Sequence, residues 1–593
     1  MLVIAACRDT PELAPPAPQQ PQQPPQPPIA SSPALPDGVW GAHRNFGPEV
    51  RGTLEITRAG QAWRARIAGH DQPIVVDGAR LTFELAGARG GFVGRLGSDN
   101  LIHGHWLQPP TVNDGAKLAS PVVLRPTTSG LWRGVVVPRE DEFTLFLVVS
   151  RAADGTQRAF LRNPDRNIGL FWQIDRVAQT GDRVRLTGKF RGRGKEELFG
   201  EGIYHAEDHR LSIHFPLRGG TFDFTPVADD LTSDFYPRGA KPAPYRYVPP
   251  VAAGDGWKVA TLAEVGMTGE PIEELVHVLE KPPSSLHDAD IHGFLIARHG
   301  KLVAEEYFHG FHRERAHETR SAAKSVTATL VGAVIQSGTK LATSTRVYDL
   351  SYPHPPKDVE PRKRAMTVEH LLTMASGYDC DDWAGGRPGG EDTLMDEQPD
   401  KDYYRYTLQL PMELAPGKQA VYCSINANLL GAVVTASTQR PVFELFHELI
   451  AEPLQINRYY LYLQPTGEPY LGGGQKFLPR DFMKFGQLML DGGVWNGKRV
   501  VSQDFATRAS SPLVKLRDQP ADTQYGYLWW TTDYKYAGRT VRAYFASGNG
   551  GQEVVVVPEL DLVIATYGGS YNDKGGLVMV REYIPKYILA AVK

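Results

Sequence analysis

Two residues whose types and spacing allow nucleophilic chemistry lie in the segment HETRSAAKSVTATLVGAVIQSG, residues 317–338. Ser321 and Lys324 are three positions apart at the start of a predicted helix, so their side chains share one face. A lysine can take the proton of a serine hydroxyl when burial and neighbouring cations depress its pKa, and the serine then attacks a carbonyl carbon. The pair therefore predicts acyl transfer; the alternative is the polar first turn of an ordinary helix.

The helix start adds a second feature, because its unpaired N–H groups and positive dipole end favour negative charge on a bound carbonyl oxygen. A further S-x-x-K match, Ser337 to Lys340, contains Gly338 and is typical of a helix end, so we interpret it as a chance match. No G-x-S-x-G sequence occurs in the chain, which disfavours the α/β-hydrolase class and its nucleophile elbow.

Several segments follow Ser321 in order: RVYDL, TVEHLLTMASGY, APGKQAVYCSINANLLGAVV, LPRDFMKFGQLMLDGGVW, YGYLWW and FASGNGGQEVVVVPELDLVIATYGG. Together they resemble the serine hydrolases related to class C β-lactamases and penicillin-binding proteins, over about residues 245–593. The resemblance implies an α/β domain in which an antiparallel sheet carries helices and a helical insert. It also implies that Ser321 is the acyl-enzyme nucleophile, Lys324 the base and Tyr422 a partner in proton transfer.

Two elements depart from that family's pattern. Tyr422 stands for the Tyr of Y-x-N, but Ser424 follows it in YCSIN, and we expect its hydroxyl to bond Lys324 or the substrate. The [KH]-T-G element is missing, and GNGG at 548–551 takes its place, as in a subset of esterase-like and amide-hydrolysing members that includes nylon-oligomer hydrolases. The lost cation predicts a preference for neutral esters over penicillins, cephalosporins and D-Ala-D-Ala peptides.

The glycines of GNGG suit an edge strand whose backbone approaches the substrate closely. We assign the oxyanion hole to the N–H groups of Ser321 and Gly551, with Gly550 as the alternative. Asn549, between these glycines, is expected to take part in substrate binding.

The predicted function is hydrolysis of esters or amides through an acyl-enzyme on Ser321. Two alternatives stay open: a D-Ala-D-Ala carboxypeptidase or β-lactamase acting on cell-wall-type substrates, and a non-catalytic envelope protein that binds a polymer or partner. Trp529 and Trp530 are expected either to wall the substrate cleft or to fill the core.

The chain is long enough for several domains, so a multidomain protein is predicted. Residues 1–37 hold a Pro/Gln-rich tract typical of an extended tether. Residues 38–128 and 129–243 show alternating runs broken by Gly and Asp, which predict two all-β, barrel-like modules. The segment GVWGAH in the first module is similar to GLWRGV in the second. A Pro-rich linker then places the β-lactamase-related domain at 244–593.

Cysteine occurs only at Cys7, Cys380 and Cys423, too few for a disulfide framework or a thiolate metal cluster. Cys423 is predicted to be a small buried residue whose chemistry is incidental. MLVIAAC resembles the lipobox of bacterial lipoproteins, which implies lipidation of Cys7, attachment to a membrane, and a location in the bacterial cell envelope as a periplasmic or exported lipoprotein. A chance apolar start is the alternative.

The formal net charge of -3 provides no basic field for nucleic acid. His103 and His105 alternate on a predicted strand and could face one metal, but no third ligand stands nearby at a telling spacing. Neither a metal nor a cofactor is therefore predicted. The expected partner is a small-molecule ester or amide substrate, and the oligomeric state is left open.

Overall fold

The computed structural model describes residues 33–111, 115–216, 219–227, 234–285, 287–356, 358–520 and 522–593. Cys7 and most of the predicted tether lie outside these ranges. Among the described helices, none combines the length and apolar character that a membrane crossing requires. The chain forms an all-β segment, residues 38–226, which we call the β region, and a mixed segment, residues 245–593, which we call the C-terminal region.

Seventeen strands and one short helix are described in the β region. Strands β1 to β9 are Gly38–Asn45, Gly52–Ala59, Ala62–Ile67, His70–Pro73, Val75–Asp77, Arg80–Glu84, Gly91–Leu96, Ile102–Gln108 and Leu118–Thr128. Strands β10 to β17 are Leu131–Val136, Glu142–Arg151, Gln157–Arg162, Trp172–Thr180, Arg183–Phe190, Glu197–His205, Arg210–Phe215 and Gly220–Pro226, and helix α1 is Ile168–Phe171.

These strands form two barrel-like antiparallel sheets, as predicted, but the strands are divided differently from the prediction. One sheet has the order β12-β11-β1-β17-β16-β15-β14-β13, and the other β4-β3-β2-β10-β9-β8-β7-β6-β5. A boundary between residues 128 and 129 does not follow this pairing. Strand β1 pairs with β11 along eight residues, from Gly38 opposite Val149 to Asn45 opposite Glu142.

The two strands that exchange places between the sheets are the Trp-containing strands β1 and β10. Trp40 on β1 lies in the core of the first sheet, whereas Trp132 on β10 lies in the core of the second. Each of these two strands has alternating apolar residues on one face, so either strand can pack that face against the core of either sheet. The internal similarity of GVWGAH and GLWRGV therefore marks two strands that cross over between sheets.

The C-terminal region contains thirteen described strands and eight α-helices. Strands β18 to β30 are Lys258–Val259, Ile291–Arg298, Lys301–Tyr307, His317–Glu318, Tyr459–Tyr462, Lys476–Phe477, Val494–Trp495, Lys498–Arg499, Gln524–Tyr525, Trp530–Tyr536, Arg539–Gly548, Gln552–Val557 and Leu562–Gly568. Helices α2 to α9 are Glu270–Leu279, Ala323–Gln336, Val368–Leu372, Tyr403–Gln409, Ser424–Thr438, Val442–Phe446, Pro479–Leu490 and Gln503–Ala509.

Short helices of other types connect these elements. Among the described residues, the 3₁₀ helices with given bounds are Ala86–Ala88, Ala263–Val265, Arg320–Ala322, Val347–Asp349, Pro361–Ala365, Pro558–Leu560, Lys574–Leu577 and Leu589–Ala591, and the π-helices are Thr393–Glu397, His447–Ala451 and Met579–Ile588.

The main sheet of the C-terminal region joins both ends of that region, in the order β18-β20-β19-β30-β29-β28-β27-β26. His299 and Gly300 separate β19 from β20, and both have positive φ, as a tight two-residue hairpin turn requires. Helix α3 is buried on every side through Val334 and lies between β28 and α6. An apolar helix of this kind belongs in a domain core, so it holds its first turn rigidly against the sheet.

The β region and the C-terminal region share hydrogen bonds. Strand β9 pairs with β22, where Ala119 lies opposite Leu461, and β22 continues through β23 to β21. The buried Arg162 guanidinium forms an ion pair with the buried carboxylate of Asp290. His292 Nε2 lies 2.6 Å from the carbonyl oxygen of Pro164. These contacts make the β region part of the fold that supports β21, which leads directly to the turn containing Ser321.

Candidate active site

Ser321 and Lys324 are brought together as the spacing predicts. Ser321 lies in the 3₁₀ turn Arg320–Ala322, which runs directly into α3, and Lys324 is in the first turn of α3. Lys324 is 1% exposed, and its Nζ donates to Ser321 Oγ at 2.9 Å. The hydroxyl therefore faces a buried amine within proton-transfer distance.

Tyr422 completes a three-residue cluster. It lies two residues before α6 and is almost fully buried, and Lys324 and Ser321 both pull the pKa of its phenol down. Lys324 Nζ is 5.0 Å from the centroid of the Tyr422 ring. A phenol, an amine and a serine hydroxyl thus share one buried pocket, so a proton leaving Ser321 has two acceptors within reach.

The electrostatics of Lys324 differ from the expectation. Burial pulls the pKa of Lys324 down, but Tyr422, Glu391 and Asp382 more than offset it, so the pKa lies above its usual value. The expected neighbouring cations are absent from these causes, and two carboxylates take their place. Burial also raises the pKa of Tyr422, and Lys324 and Ser321 pull it back only in part.

Ser424 contacts a carboxylate that the sequence reasoning missed. Its backbone N–H and its hydroxyl both donate to Asp382 Oδ2 at 2.7 Å, so the expected bond from Ser424 to Lys324 is not what the structure shows. Asp382 N–H in turn donates to the carbonyl oxygen of Tyr422 at 3.0 Å. Burial raises the pKa of Asp382 to about 7, with a further contribution from Glu391. The carboxylate thus holds the segment Tyr422–Ser424 in place and titrates near neutrality.

Cys423 has a structural role, which corrects the prediction that its chemistry is incidental. It forms a disulfide bond with Cys380, 43 positions away in sequence. Sequence counting missed the bond because only the folded chain brings the two loops together. The disulfide ties the loop that carries Asp382 to the segment that carries Tyr422, so both sides of the proton-transfer cluster are covalently linked.

The GNGG segment forms the turn between β28 and β29. Gly551 N–H donates to the carbonyl oxygen of Gly548 at 3.3 Å, and Gly550 has φ +101°, a value that suits glycine at the third position of such a turn. The Gly551 amide is therefore committed to the turn, which argues against its predicted place in the oxyanion hole. A trans peptide points its C=O and N–H in opposite directions, so the Asn549 N–H points away from β29.

This turn packs closely against the turn that carries the nucleophile. A Cβ on Gly548 would lie 2.3 Å from the carbonyl oxygen of Thr319 and 3.1 Å from the backbone nitrogen of Ala322. Only glycine permits that approach. The Asn549 side chain is held by Asn572, through a donated bond of 2.9 Å and an accepted bond of 2.8 Å.

Charged residues surround Glu318. This residue lies two positions before Arg320, which begins the 3₁₀ turn and directly precedes Ser321. Arg320 Nε lies 2.8 Å from Glu318 Oε1, and Lys476 Nζ and Arg166 Nη2 lie 3.5 and 3.7 Å from Glu318 Oε2. The Arg320 guanidinium also lies 4.8 Å from the centroid of the Tyr571 ring. Arg166 belongs to the β region, so that region reaches the neighbourhood of the nucleophile.

The two adjacent tryptophans have different environments. Trp529 is fully buried and contributes to the core. Trp530 stacks on Tyr422 with ring centroids 5.5 Å apart, and Trp383 stacks on the same ring at 5.0 Å while remaining 53% exposed. Trp530 and Trp383 therefore form an aromatic wall beside Tyr422.

The second S-x-x-K match, at Ser337, differs from the site. Ser337 follows the end of α3, and its hydroxyl donates to the carbonyl oxygen of Val334.

Known proteins are similar to the part of the chain that contains this cluster. Residues 287–570 match the Beta-lactamase family. A 6-aminohexanoate-dimer hydrolase of Paenarthrobacter ureafaciens is 27% identical over 323 residues, which are 50% of this chain and 77% of that protein. A penicillin binding protein from Bacillus halodurans aligns with 49% of this chain and 95% of its own, at 18% identity and a TM-score of 0.37. A D-stereospecific amidohydrolase from Streptomyces sp. aligns with 50% and 94%, at 13% identity and a TM-score of 0.37.

The part of the chain that contains Ser321, Lys324 and Tyr422 is therefore similar to the β-lactamase-related superfamily of serine hydrolases. This confirms the resemblance drawn from the ordered motifs and the predicted fold class, in which all-β, barrel-like sheets precede an α/β domain.

Sequence reasoning missed three features of the cluster: Asp382, Glu391 and Trp383. All three lie in the segment between α4 and α5, which has few regular elements and no periodic pattern. The signal that could have found them is the sequence CDDW at 380–383, where a cysteine, two acids and an aromatic stand together.

Proposed function

We propose that this protein is a serine hydrolase that cleaves neutral esters or amides through an acyl-enzyme on Ser321. The observation that carries the proposal is the buried contact of 2.9 Å between Lys324 Nζ and Ser321 Oγ beside Tyr422. A hydroxyl, an amine and a phenol at these distances are the groups that nucleophilic catalysis requires. The family match over residues 287–570 supports the same class of reaction.

Acylation begins when the Lys324–Tyr422 pair has lost one proton and can accept the proton of Ser321. Ser321 Oγ forms a bond to the carbonyl carbon, and the carbonyl electron pair moves to the oxygen. Collapse of this tetrahedral intermediate breaks the bond to the leaving alcohol or amine, which takes the proton held by the pair. Water then repeats the sequence on the acyl-enzyme and releases the acid.

The negative oxygen of the intermediate requires two donors, and we assign the backbone N–H groups of Ser321 and Asn549. The Gly548 carbonyl points toward Gly551, so the Asn549 N–H points to the opposite side. The close approach of Gly548 to Ala322 places that turn against the nucleophile. Fixed donors of this kind stabilise the transition state without reorganisation.

The preference for neutral substrates rests on what surrounds the turn at 548–551. Asn549 supplies no charge there, and its side chain is occupied by Asn572. The nearby Arg320 guanidinium is held by Glu318 and the Tyr571 ring. Trp383 and Trp530 add an aromatic wall beside Tyr422. An apolar acyl group is thus favoured over a carboxylate.

Steady-state kinetics with p-nitrophenyl butyrate and nitrocefin test the proposal. We expect kcat/KM to be higher for the ester by about one to two powers of ten, the worth of one missing charge-assisted contact. A fluorophosphonate probe should label the wild type and the Ser337→Ala variant but leave Ser321→Ala unlabelled. An unlabelled wild type would favour the non-catalytic alternative, and a clear preference for nitrocefin would favour a β-lactamase or D-Ala-D-Ala carboxypeptidase.

An amide substrate with a carboxylate is the second candidate, because the Arg320 guanidinium, which contacts Glu318 and the Tyr571 ring, directly precedes Ser321. The relative from Paenarthrobacter ureafaciens bears the name of an amide-cleaving enzyme, 6-aminohexanoate-dimer hydrolase. Hydrolysis of that linear dimer, followed by ninhydrin detection of the new amine, separates this candidate from the ester. Faster turnover of the dimer than of p-nitrophenyl butyrate would assign Arg320 to the substrate.

We also propose a location in the bacterial cell envelope. The Cys380–Cys423 bond supports it, because disulfides persist in oxidising compartments, and the lipobox-like start at Cys7 supplies an attachment point. The wild type should fractionate with membranes, and Cys7→Ser should move to the soluble fraction. Equal distribution of the two proteins would remove Cys7 as an anchor.

A further inference from the structure

A cluster of metal-ligating side chains lies where the β region meets the C-terminal region. His103 is on β8, and His447 begins the π-helix His447–Ala451, with Glu452 directly after it. The three side chains line a cavity of about 310 Å³. Sequence reasoning set His103 aside for lack of a third ligand, and the fold supplies two ligands from more than 300 positions away.

The three ligand atoms face one another. His103 Nδ1 lies 3.2 Å from His447 Nε2, and His447 Nε2 lies 3.2 Å from Glu452 Oε1. The third separation, from His103 Nδ1 to Glu452 Oε1, is 3.8 Å. All three ligand atoms therefore lie close enough to one another to bind a single ion.

These separations fit the edges of a tetrahedron around Zn²⁺. Zinc binds histidine nitrogen and carboxylate oxygen at about 2.0 to 2.2 Å in tetrahedral geometry, so neighbouring ligand atoms lie about 3.3 to 3.5 Å apart. Two observed separations, at 3.2 Å, lie just below that range, and the third, at 3.8 Å, lies just above it. We propose that His103, His447 and Glu452 bind one Zn²⁺ ion, with the fourth position open to the cavity.

The surroundings of His103 support a metal ligand. His103 Nε2, the nitrogen that faces away from the cluster, lies 3.2 Å from Asp99 Oδ2. A carboxylate on the outer nitrogen fixes the tautomer that leaves the inner nitrogen free to bind a metal, an arrangement that accompanies most zinc-bound histidines. Asp99 thus orients His103 toward His447.

Two other polar side chains that line the cavity have partners outside the cluster. His105 Nε2 is 2.8 Å from the hydroxyl of the buried Tyr459, so His105 is outside the ligand set. Glu448 accepts a bond of 2.5 Å from Arg440. The donor set is therefore two imidazoles and one carboxylate, a combination that suits Zn²⁺ better than Mg²⁺ or Ca²⁺, which prefer oxygen ligands alone.

The ion would join the two regions of the chain. His103 comes from the β region, and His447 and Glu452 come from the C-terminal region, so binding requires both to be docked. A ligand that binds only the folded form stabilises it. Zinc is therefore expected to raise the unfolding temperature of the intact chain, independently of any effect on hydrolysis.

Isothermal titration of the full-length, EDTA-treated protein with Zn²⁺ tests the proposal. We expect one equivalent per chain for the wild type, a loss of affinity of at least about tenfold in His103→Ala, His447→Ala and Glu452→Gln, and no change in His277→Ala. His277 is a matched control, because its Nδ1 lies 2.8 Å from Glu280 on the surface of α2 without a second histidine. Bound Co²⁺ should show the visible absorption of a tetrahedral site in the wild type and in His277→Ala, but not in His103→Ala, His447→Ala or Glu452→Gln.

Thermal unfolding with and without Zn²⁺ gives the second measurement. Zinc should raise the midpoint of the wild type and of His277→Ala, and leave those of His103→Ala and His447→Ala unchanged. Substoichiometric binding to the wild type, or equal binding by the wild type and His447→Ala, would overturn the proposal. In that case the three side chains form only a hydrogen-bonded trio. The wild-type stoichiometry decides this even if a variant fails to fold.

Discussion

The β region and the C-terminal region differ in how far apart their interacting residues lie in the sequence. Ser321 and Lys324 are three positions apart, and one helical turn brings them together. Strand β1, by contrast, pairs with β11 about a hundred positions later and leaves its expected module. Catalytic residues that lie within one helical turn can therefore be identified from a sequence. A strand, by contrast, has several possible pairing partners, and the sequence does not show which one it takes.

The two regions should also fail in different ways when they are altered. Activity should depend on the cluster at α3, and stability should depend on the contacts between the regions.

Lys324→Ala should abolish hydrolysis while leaving the fold intact. Removal of one member of a cooperating catalytic set lowers kcat by about 10⁴- to 10⁶-fold, because Ser321 then lacks its proton-transfer partner. Lys340→Ala, in the chance S-x-x-K match, should retain wild-type activity. The measurement is kcat/KM for p-nitrophenyl butyrate, with circular dichroism to confirm folding. Near-native turnover by Lys324→Ala would remove this residue from the mechanism.

Arg162→Ala should do the reverse and destabilise the protein without changing the chemistry of the folded fraction. It leaves the buried Asp290 carboxylate without its ion pair, and breaking a buried pair costs about 3 to 5 kcal/mol. Urea unfolding measures the loss. Arg185→Ala, which breaks an exposed pair with Glu201, should unfold like the wild type. Equal stability of both variants would mean that the regions are joined only loosely.

The same contacts bear on whether the C-terminal region folds alone. The domain boundary near residue 244 suggests an independent catalytic body, but Asp290, His292 and β22 all have partners in the β region. We therefore expect residues 244–593 alone to be insoluble or inactive. Soluble and active protein of that length would show instead that the C-terminal region is an independent catalytic domain.

Asn549→Pro should lower kcat by about 10²- to 10³-fold, the effect of losing one oxyanion donor. Proline removes the backbone N–H that we assign to the oxyanion hole, and Asn549→Ala keeps it. The ratio of kcat between the two variants isolates the N–H from the side chain and its bonds to Asn572. A ratio near one would return the donor role to Gly550 or Gly551.

Asp382→Asn should give the smallest change, a shift of the pH profile. Activity requires a deprotonated Lys324–Tyr422 pair, so it rises with pH and is lost as pH falls. The Asp382 carboxylate helps to raise the pKa of Lys324, so its removal should move this rise to lower pH. Asp381→Asn, whose carboxylate is 2.8 Å from Arg517, should leave the profile in place. An Asp382→Asn variant with an unshifted pH profile would show that Asp382 does not influence the proton transfer.

The nucleophile and its immediate neighbour were predictable because helical geometry fixes the distance between positions three apart. Tyr422 required the order of several motifs in addition, since a lone tyrosine carries no such spacing. Its neighbours Asp382 and Glu391 were not predictable, because they reach Lys324 from an irregular segment that the Cys380–Cys423 bond holds in place. The sign of the Lys324 pKa shift was missed for the same reason.

The arrangement of the β region was predictable only in part. Alternating apolar residues identified its strands. The exchange of β1 and β10 between sheets, and the pairing of β9 with β22, involve backbone hydrogen bonds that any strand can offer. Nothing in the side chains of Trp40 or Trp132 distinguishes one sheet from the other.

The pairing of β9 with β22 has a consequence for synthesis of the protein. Ala119 and its partner Leu461 are about 340 residues apart, so at roughly 5 to 20 residues per second the ribosome needs about 20 to 70 s to deliver the partner. During that interval the emerging chain presents the first part of β9 as an open strand edge, and such edges pair readily with other chains. Neighbouring ribosomes on one message would therefore expose this same edge side by side, which makes residues 118–124 the expected point of contact for a nascent-chain chaperone.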